Sequence, residues 1–188
     1  MGNEYKMFLK NFIHEPKSVG SVTPSSRLLC KSMLKEMDFK SADCIVEYGA
    51  GTGVFTKEII KRKKKSALFM TFELNEELYK SLKKFESKEN NTWVINDSAE
   101  FVKHYLREKG KEQIDFVISG LPFTVLPKDM GHRIMYHTFD LLSKEGEFRT
   151  FQYSLNHLKV LRELYPSVKL DFQLFNIPPA FIYKCRKT

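Results

Sequence analysis

The chain has 188 residues, 42% of them hydrophobic, and a formal charge of +8. That length suits one domain with a full core, and no window reaches the roughly 18 apolar residues of a membrane span. The basic excess favours a polyanionic partner, nucleic acid or an anionic membrane surface, without choosing between them. Cys30, Cys44 and Cys185 are odd in number and share no CxxC or Cys/His spacing, which argues against a disulfide framework and against a metal site. Cys44 sits in an apolar run and is expected as a small core residue. Nothing resembles a signal peptide, so the expected location is cytoplasmic; no obligate protein partner is evident.

In chain order, Tyr5, Phe8, Leu9, Phe12 and Ile13 fall on one face of a helix, with Lys6, Lys10 and Lys17 off that stripe. Such a basic amphipathic helix can lie in a membrane interface, or pack its stripe as a lid over a cleft. Residues 1–40 are read as this lid or membrane-contact segment of a single domain spanning 1–188. Apolar runs at 43–48, 67–73, 92–96 and 115–119 predict strands, and the helical spacing at 54–62, 75–85 and 98–108 predicts helices between them. That alternation implies βαβ units and an α/β fold with a mainly parallel sheet and helices on both faces. Residues 129–142 read as a further helix and 146–153 as a strand. Two more strands at 167–176 and 180–186, separated by Pro178-Pro179, suggest an antiparallel pair at the sheet edge. The basic run 61–65 reads as a solvated helix end that complements the helix dipole, with a polyanion contact as the alternative.

Glu47-Tyr-Gly49-Ala-Gly51-Thr-Gly53 joins the first strand to a helix. Its glycines allow a tight turn and a close approach of backbone to ligand. A dinucleotide fingerprint would need glycine at 54, which is Val54, and no Walker P-loop matches. Glu73, ending the next strand twenty residues past Gly53, can accept from both hydroxyls of a ribose. Asp97, after the third strand, falls where a loop would reach an adenine.

The order E-x-G-x-G-x-G, acidic end to strand two, acidic third loop resembles the class I methyltransferases that use S-adenosylmethionine. The resemblance implies a Rossmann-like, seven-stranded, mostly parallel sheet with one antiparallel strand in its edge region. It implies S-adenosylmethionine as cofactor, with Gly49, Gly51 and Gly53 packing on its methionine end and ribose. Glu73 would hold the ribose hydroxyls, Asp97 with Ser98 the adenine amine, and Glu47 the methionine part. Ser119, Gly120 and Leu121, at the end of the fourth strand, would lie beside the sulfonium.

The acceptor is read from the loop after that strand. Adenine N-methyltransferases carry Asn-Pro-Pro-Tyr there, and the ribosomal RNA dimethylases Asn-Leu-Pro-Tyr. This chain has Gly120-Leu121-Pro122-Phe123, without the amide that would accept from an adenine amine, although Phe123 could still stack on a base. Phe8-Leu-Lys-Asn-Phe12, then Pro16-Lys-Ser-Val-Gly-Ser-Val-Thr-Pro-Ser-Ser26, and Asn176-Ile-Pro-Pro179 resemble the bacterial phospholipid N-methyltransferases. That likeness implies methylation of the amine of phosphatidylethanolamine-type phospholipids, a phospholipid or other amine acceptor as partner, and a place peripheral to the membrane. An N-methyltransferase of RNA adenine or of a soluble small molecule stays open, as does a cofactor-binding membrane-associated protein without catalysis. A protonated amine cannot attack, so a base or a desolvating pocket is needed; Tyr136, His137 and Tyr153 are the candidates. Arg133 or Lys128 would bind a lipid phosphate.

Overall fold

The computed structural model describes residues 24–188, so the stripe over residues 5–13 and the 16–23 part of the N-terminal motif lie outside the described residues. Helix α1, Pro24–Met33, precedes β1, Cys44–Tyr48. Then follow α2, Val54–Arg62; β2, Leu68–Phe72; and α3, Glu76–Leu82, which tightens into a 3-10 turn at Lys83–Phe85. Next come β3, Thr92–Ile95; a 3-10 turn at Ala99–Phe101; α4, Val102–Glu108; and β4, Ile114–Ser119. The chain closes with α5, Lys128–Leu141; β5, Leu142–Gln152; α6, Leu158–Leu164; β6, Ser167–Gln173; and β7, Ala180–Arg186.

The strands form one sheet in the order β3-β2-β1-β4-β5-β7-β6. Strands β1 to β5 pair in parallel, and β7 runs antiparallel to both its neighbours. β1 and β2 are buried along their whole length, as strands covered on both faces must be. Side chains alternate between two cores. Val46, Tyr48, Met70 and Phe72 face α4 and α5, whereas Ile45, Phe69 and Ile118 face α1 and α2. Cys44 is a core residue, as expected, and all three cysteines are buried free thiols. The strand order reverses between β1 and β4, and the crevice outside the carboxyl ends there is where open α/β sheets bind ligands.

α1 is fastened to the sheet by a buried arginine. Arg149 on β5 donates from Nη1 to the carbonyls of Met33 (2.7 Å) and Lys35 (2.6 Å), and from Nε to Glu147. Glu147 also accepts from Arg186 at 2.9 Å. The buried charges are therefore compensated on both sides.

Four details differ from the sequence reading. α6 was not expected, because its seven residues are too few for a clear helical period. β5 starts at Leu142 rather than 146, directly after α5. β6 ends at Gln173, three residues early, because Asn176 turns its side chain back to the Pro178 carbonyl at 2.6 Å. The basic run is not a solvated end throughout: Lys63 is buried and donates to the carbonyls of Ala67 (3.0 Å) and Asn90, and burial pulls its ammonium down to about 8.

Candidate functional site

The turn after β1 is built from backbone. Gly49, Gly51 and Gly53 have φ of 69°, 57° and 81°, the left-handed region that side chains rarely enter. Space decides what each glycine is for. A Cβ on Gly49 would lie 2.9 Å from Leu121, and one on Gly53 would lie 2.8 Å from Leu82 and 2.9 Å from Phe85. A Cβ on Gly51 would meet nothing within 4 Å, so its backbone is open on the ligand side. The Gly51 N–H donates to Glu73 Oε2 at 2.8 Å, which ties the turn to the end of β2.

Two buried carboxylates face this turn. Glu47 Oε2 accepts from Thr56 (2.6 Å) and Thr71 (2.8 Å), whereas Oε1 is buried without a partner. Burial pushes the Glu47 carboxyl up to about 7, against those hydrogen bonds. Glu73 is also raised by burial, opposed by the N–H groups of Asn75 and Gly51. Beyond β3, Asp97 accepts from the Ser98 N–H (2.7 Å) and from Tyr105 Oη (3.0 Å), while Ser98 caps the following turn. Asn96, unremarked in the sequence, donates to the Glu73 carbonyl at 2.8 Å and holds the second and third loops together.

The loop after β4 closes the crevice. Gly120 donates to the Tyr48 carbonyl at 2.8 Å, and a Cβ on Gly120 would stand 2.8 Å from the Gly49 carbonyl oxygen. Ser119 is buried and its Oγ accepts from the Leu121 N–H at 3.2 Å. Gln152, the last residue of β5, donates to the Leu121 carbonyl at 3.0 Å. Sequence reasoning missed Gln152, since a lone glutamine at a strand end carries no signal. Phe123 is buried, its ring edge-on to Phe148 at 6.3 Å. The expectation that it could stack on a base is corrected: the ring points into the core.

The cofactor-site expectations therefore converge: Glu47, the three glycines, Glu73, Asp97, Ser98, Ser119, Gly120 and Leu121 all sit at the carboxyl ends of β1 to β4. Tyr153 directly follows β5 at the same edge, exposed, with Phe151 packed edge-on at 5.9 Å. Tyr136 and His137 are not brought there. They lie in the third turn of α5, roughly 12 Å of helix rise below its start, on the way back to the opposite edge. Arg133 is held by Glu100 at 2.8 Å, so it is not a free anion ligand, whereas Lys128 is exposed at the start of α5. His157, which the sequence did not single out, lies with its ring 6.0 Å from Phe123, and burial and then His132 pull its imidazole down. No group of His, Cys, Asp or Glu among the described residues could hold a metal ion.

This donor set fits S-adenosylmethionine. The unpartnered Glu47 oxygen would accept from an ammonium and Glu73 from a ribose diol, with the open face of Gly51 leaving room for the chain between them. Sheet order and site together define a class I S-adenosylmethionine-dependent methyltransferase. The chain belongs to the ribosomal RNA adenine dimethylase family, whose model matches residues 6–159, and it is an S-adenosylmethionine-dependent N-methyltransferase.

Among characterised proteins it is similar to the ornithine lipid N-methyltransferase of Singulisphaera acidiphila. The two are 27% identical over 97% of this chain and 96% of that enzyme. The ribosomal RNA small subunit methyltransferase A of Thermotoga neapolitana is 32% identical over 63% of this chain, a span that is 42% of its own length. Of solved structures, the T. thermophilus 16S rRNA N2 G1207 methyltransferase with AdoMet and guanosine superposes with a TM-score of 0.66 at 19% identity. That match covers 92% of this chain and 45% of that one, and is a likeness of fold.

Proposed function

We propose that the methyl acceptor is the amine of a lipid head group, of the phosphatidylethanolamine type, met at a membrane surface. The observation that carries this reading is the end-to-end similarity to an ornithine lipid N-methyltransferase, 97% of this chain against 96% of that enzyme. The rim supports it. An asparagine at 120 would press its Cβ against the Gly49 carbonyl oxygen, 2.8 Å away, so one of the two loops would have to shift, and Phe123 is withdrawn into the core. Both features that would read a flat base are thus missing.

The cofactor supplies a methyl group already activated on a sulfonium. The chain's part is to hold the amine in line with it and to keep water out. The loop 119–123 does this with buried, apolar walls. Burial raises the Tyr153 phenol, with Asn176 opposing as a hydrogen-bond partner, so Tyr153 orients an amine as a neutral phenol rather than deprotonating it. His157, half-buried beside Phe123, is a second candidate base, although burial pulls its imidazole down and so weakens it as a proton acceptor. Lys128, exposed at the start of α5, would meet a lipid phosphate at the mouth.

An RNA adenine acceptor is the second reading, favoured by the family to which the chain belongs. The deciding experiment is methyl transfer to mixed liposomes containing phosphatidylethanolamine, beside an RNA control. Methylated lipid is expected; product on RNA alone overturns the lipid reading.

A further inference from the structure

The most exposed large apolar side chains among the described residues are Leu174, Phe175 and Ile177, at 60%, 73% and 85%. They stand together on the tip of the β6–β7 hairpin. The register shows which way the tip points: Gln173 pairs with Ala180, and Phe181 pairs with Gln152, the carboxyl end of β5. β5 is parallel to β4, and β4 to β1, so the tip projects from the edge that carries the glycine turn and the 119–123 loop. The tip is also pre-shaped. Asn176 is buried and bonds back to the Pro178 carbonyl at 2.6 Å, and Pro178-Pro179 restrict the backbone behind it. Large apolar side chains clustered outward at one tip, on the edge of the cofactor site, mark an interaction surface.

A basic cavity flanks this tip. α1 lies between the two: its Leu28 carbonyl and Ser32 Oγ accept from Gln173 at the hairpin (3.4 and 2.7 Å), and its Cys30 thiol faces the Val54 carbonyl of α2. Between α1, α2 and the glycine turn is a cavity of about 830 Å³. Arg27, Lys31, Lys57, Lys61, Arg62 and Lys84 line it, and Glu58 is its one acidic group. Lys61 and Arg62 pair with Glu58, whereas Arg27, Lys31 and Lys57 have no ion-pair partner among the described residues. An apolar prong and an unpaired cationic wall on either side of one helix match an anionic bilayer in both of its layers, acyl chains and phosphates. An RNA would use the charge but leave the prong in water.

We propose that the hairpin tip 174–179 is an interfacial anchor: Phe175 and Ile177 enter the acyl region of an anionic bilayer while the Arg27–Lys31–Lys57 wall meets lipid phosphates. Docked this way, the carboxyl edge of the sheet faces the membrane. The anchor rests on the lipid reading of the acceptor for its biological purpose, but not for its test.

The test is flotation of the full chain with vesicles of phosphatidylglycerol and phosphatidylcholine, and with phosphatidylcholine alone. The wild type floats with the anionic vesicles. Phe175→Glu/Ile177→Glu, and the milder Phe175→Ser/Ile177→Ser, lose at least about tenfold in partitioning, as expected for withdrawing two large apolar anchors. Lys31→Glu/Lys57→Glu loses about tenfold or more at low salt and less at high salt. Affinity for S-adenosylhomocysteine, measured by calorimetry, stays unchanged in the hairpin variants, which reports that they fold. Undiminished flotation of a folded hairpin variant overturns the anchor. So does a wild-type dimer that the hairpin variant abolishes while vesicle binding persists, because the prong would then be a contact between copies. RNA displacement of the wild type from vesicles, with the hairpin variants binding vesicles as before, overturns it as well. Vesicle binding through the prong without lipid methylation would sink the proposed acceptor and leave the anchor standing; methylation of dispersed lipid with no role for the prong would do the reverse.

Discussion

The carbonyl oxygen of Gly49 lies 2.8 Å from the point where a side chain on Gly120 would begin. The first turn of the cofactor site and the loop over the acceptor thus touch backbone to backbone, and neither can change alone. The glycine at 120 is more than the loss of an amide. It is what allows the β1 and β4 loops to close on each other.

Gly120→Asn is therefore expected to weaken binding of S-adenosylhomocysteine by tenfold or more, and to gain no activity on adenine. Gly120→Ala should lower stability by about 1–3 kcal/mol, the usual cost of overpacking. Calorimetry and denaturant unfolding measure the two effects. Adenine methylation by the asparagine variant would overturn this reading of the loop.

The glycines of the first turn separate folding from binding. Gly53→Ala drives a Cβ against Leu82 and Phe85 in a left-handed backbone, and should unfold at a clearly lower temperature. Gly51→Ala meets no neighbour and should keep most of its stability, losing about 1–2 kcal/mol to backbone strain. Its loss should show in cofactor affinity instead, because the added methyl points into open space on the ligand side.

Glu47 predicts a pH dependence. Its carboxyl is raised to about 7 in the folded chain, above its ordinary 4.5, so the folded state holds a proton that the unfolded state releases first. Without cofactor, stability should fall as pH rises from about 4.5 to about 7 and level off above, by on the order of 3 kcal/mol at most from this group. Glu47→Gln should flatten that decline in thermal melts. Cofactor binding should release a proton below pH 7, since an ammonium partner favours the carboxylate; calorimetry in buffers of different ionisation enthalpy reads it.

The base candidates separate by position. Tyr153→Phe should lower kcat in the proposed liposome assay, since the side chain stands at the carboxyl edge of the sheet beside Asn176. Tyr136→Phe and His137→Gln should leave kcat within about twofold, since both lie in the third turn of α5, away from the carboxyl edge of the sheet. His157→Gln should shift the acid limb of the kcat profile, which loss of packing alone would not do.

Much of the architecture was legible in the chain. Parallel strands covered on both faces read as near-continuous apolar runs, so 43–48, 67–73 and 115–119 announced themselves. The glycine turn with Glu47, Glu73 and Asp97 is legible for a related reason: each residue lies within two positions of a strand's carboxyl end, and those ends share one edge in a parallel sheet. Tyr136 and His137 were misplaced because their neighbourhood depends on how far α5 has travelled before it turns back, which no local pattern states. Phe123 was read as a stacking ring from its place beside a proline, yet its direction is decided by Phe148 on a neighbouring strand.

Periodicity, carried by residues near in sequence, was enough to determine the α/β class, and the cofactor followed from the resemblance of the glycine turn and the acidic strand ends to class I methyltransferases. Folding alone decided that the Gly49 carbonyl excludes a side chain at 120, that Glu47 has one oxygen unpartnered, and that an apolar hairpin tip shares the edge of the cofactor site. These are distances between residues from 71 to more than 120 positions apart or burials produced by packing, and a linear chain holds no record of either.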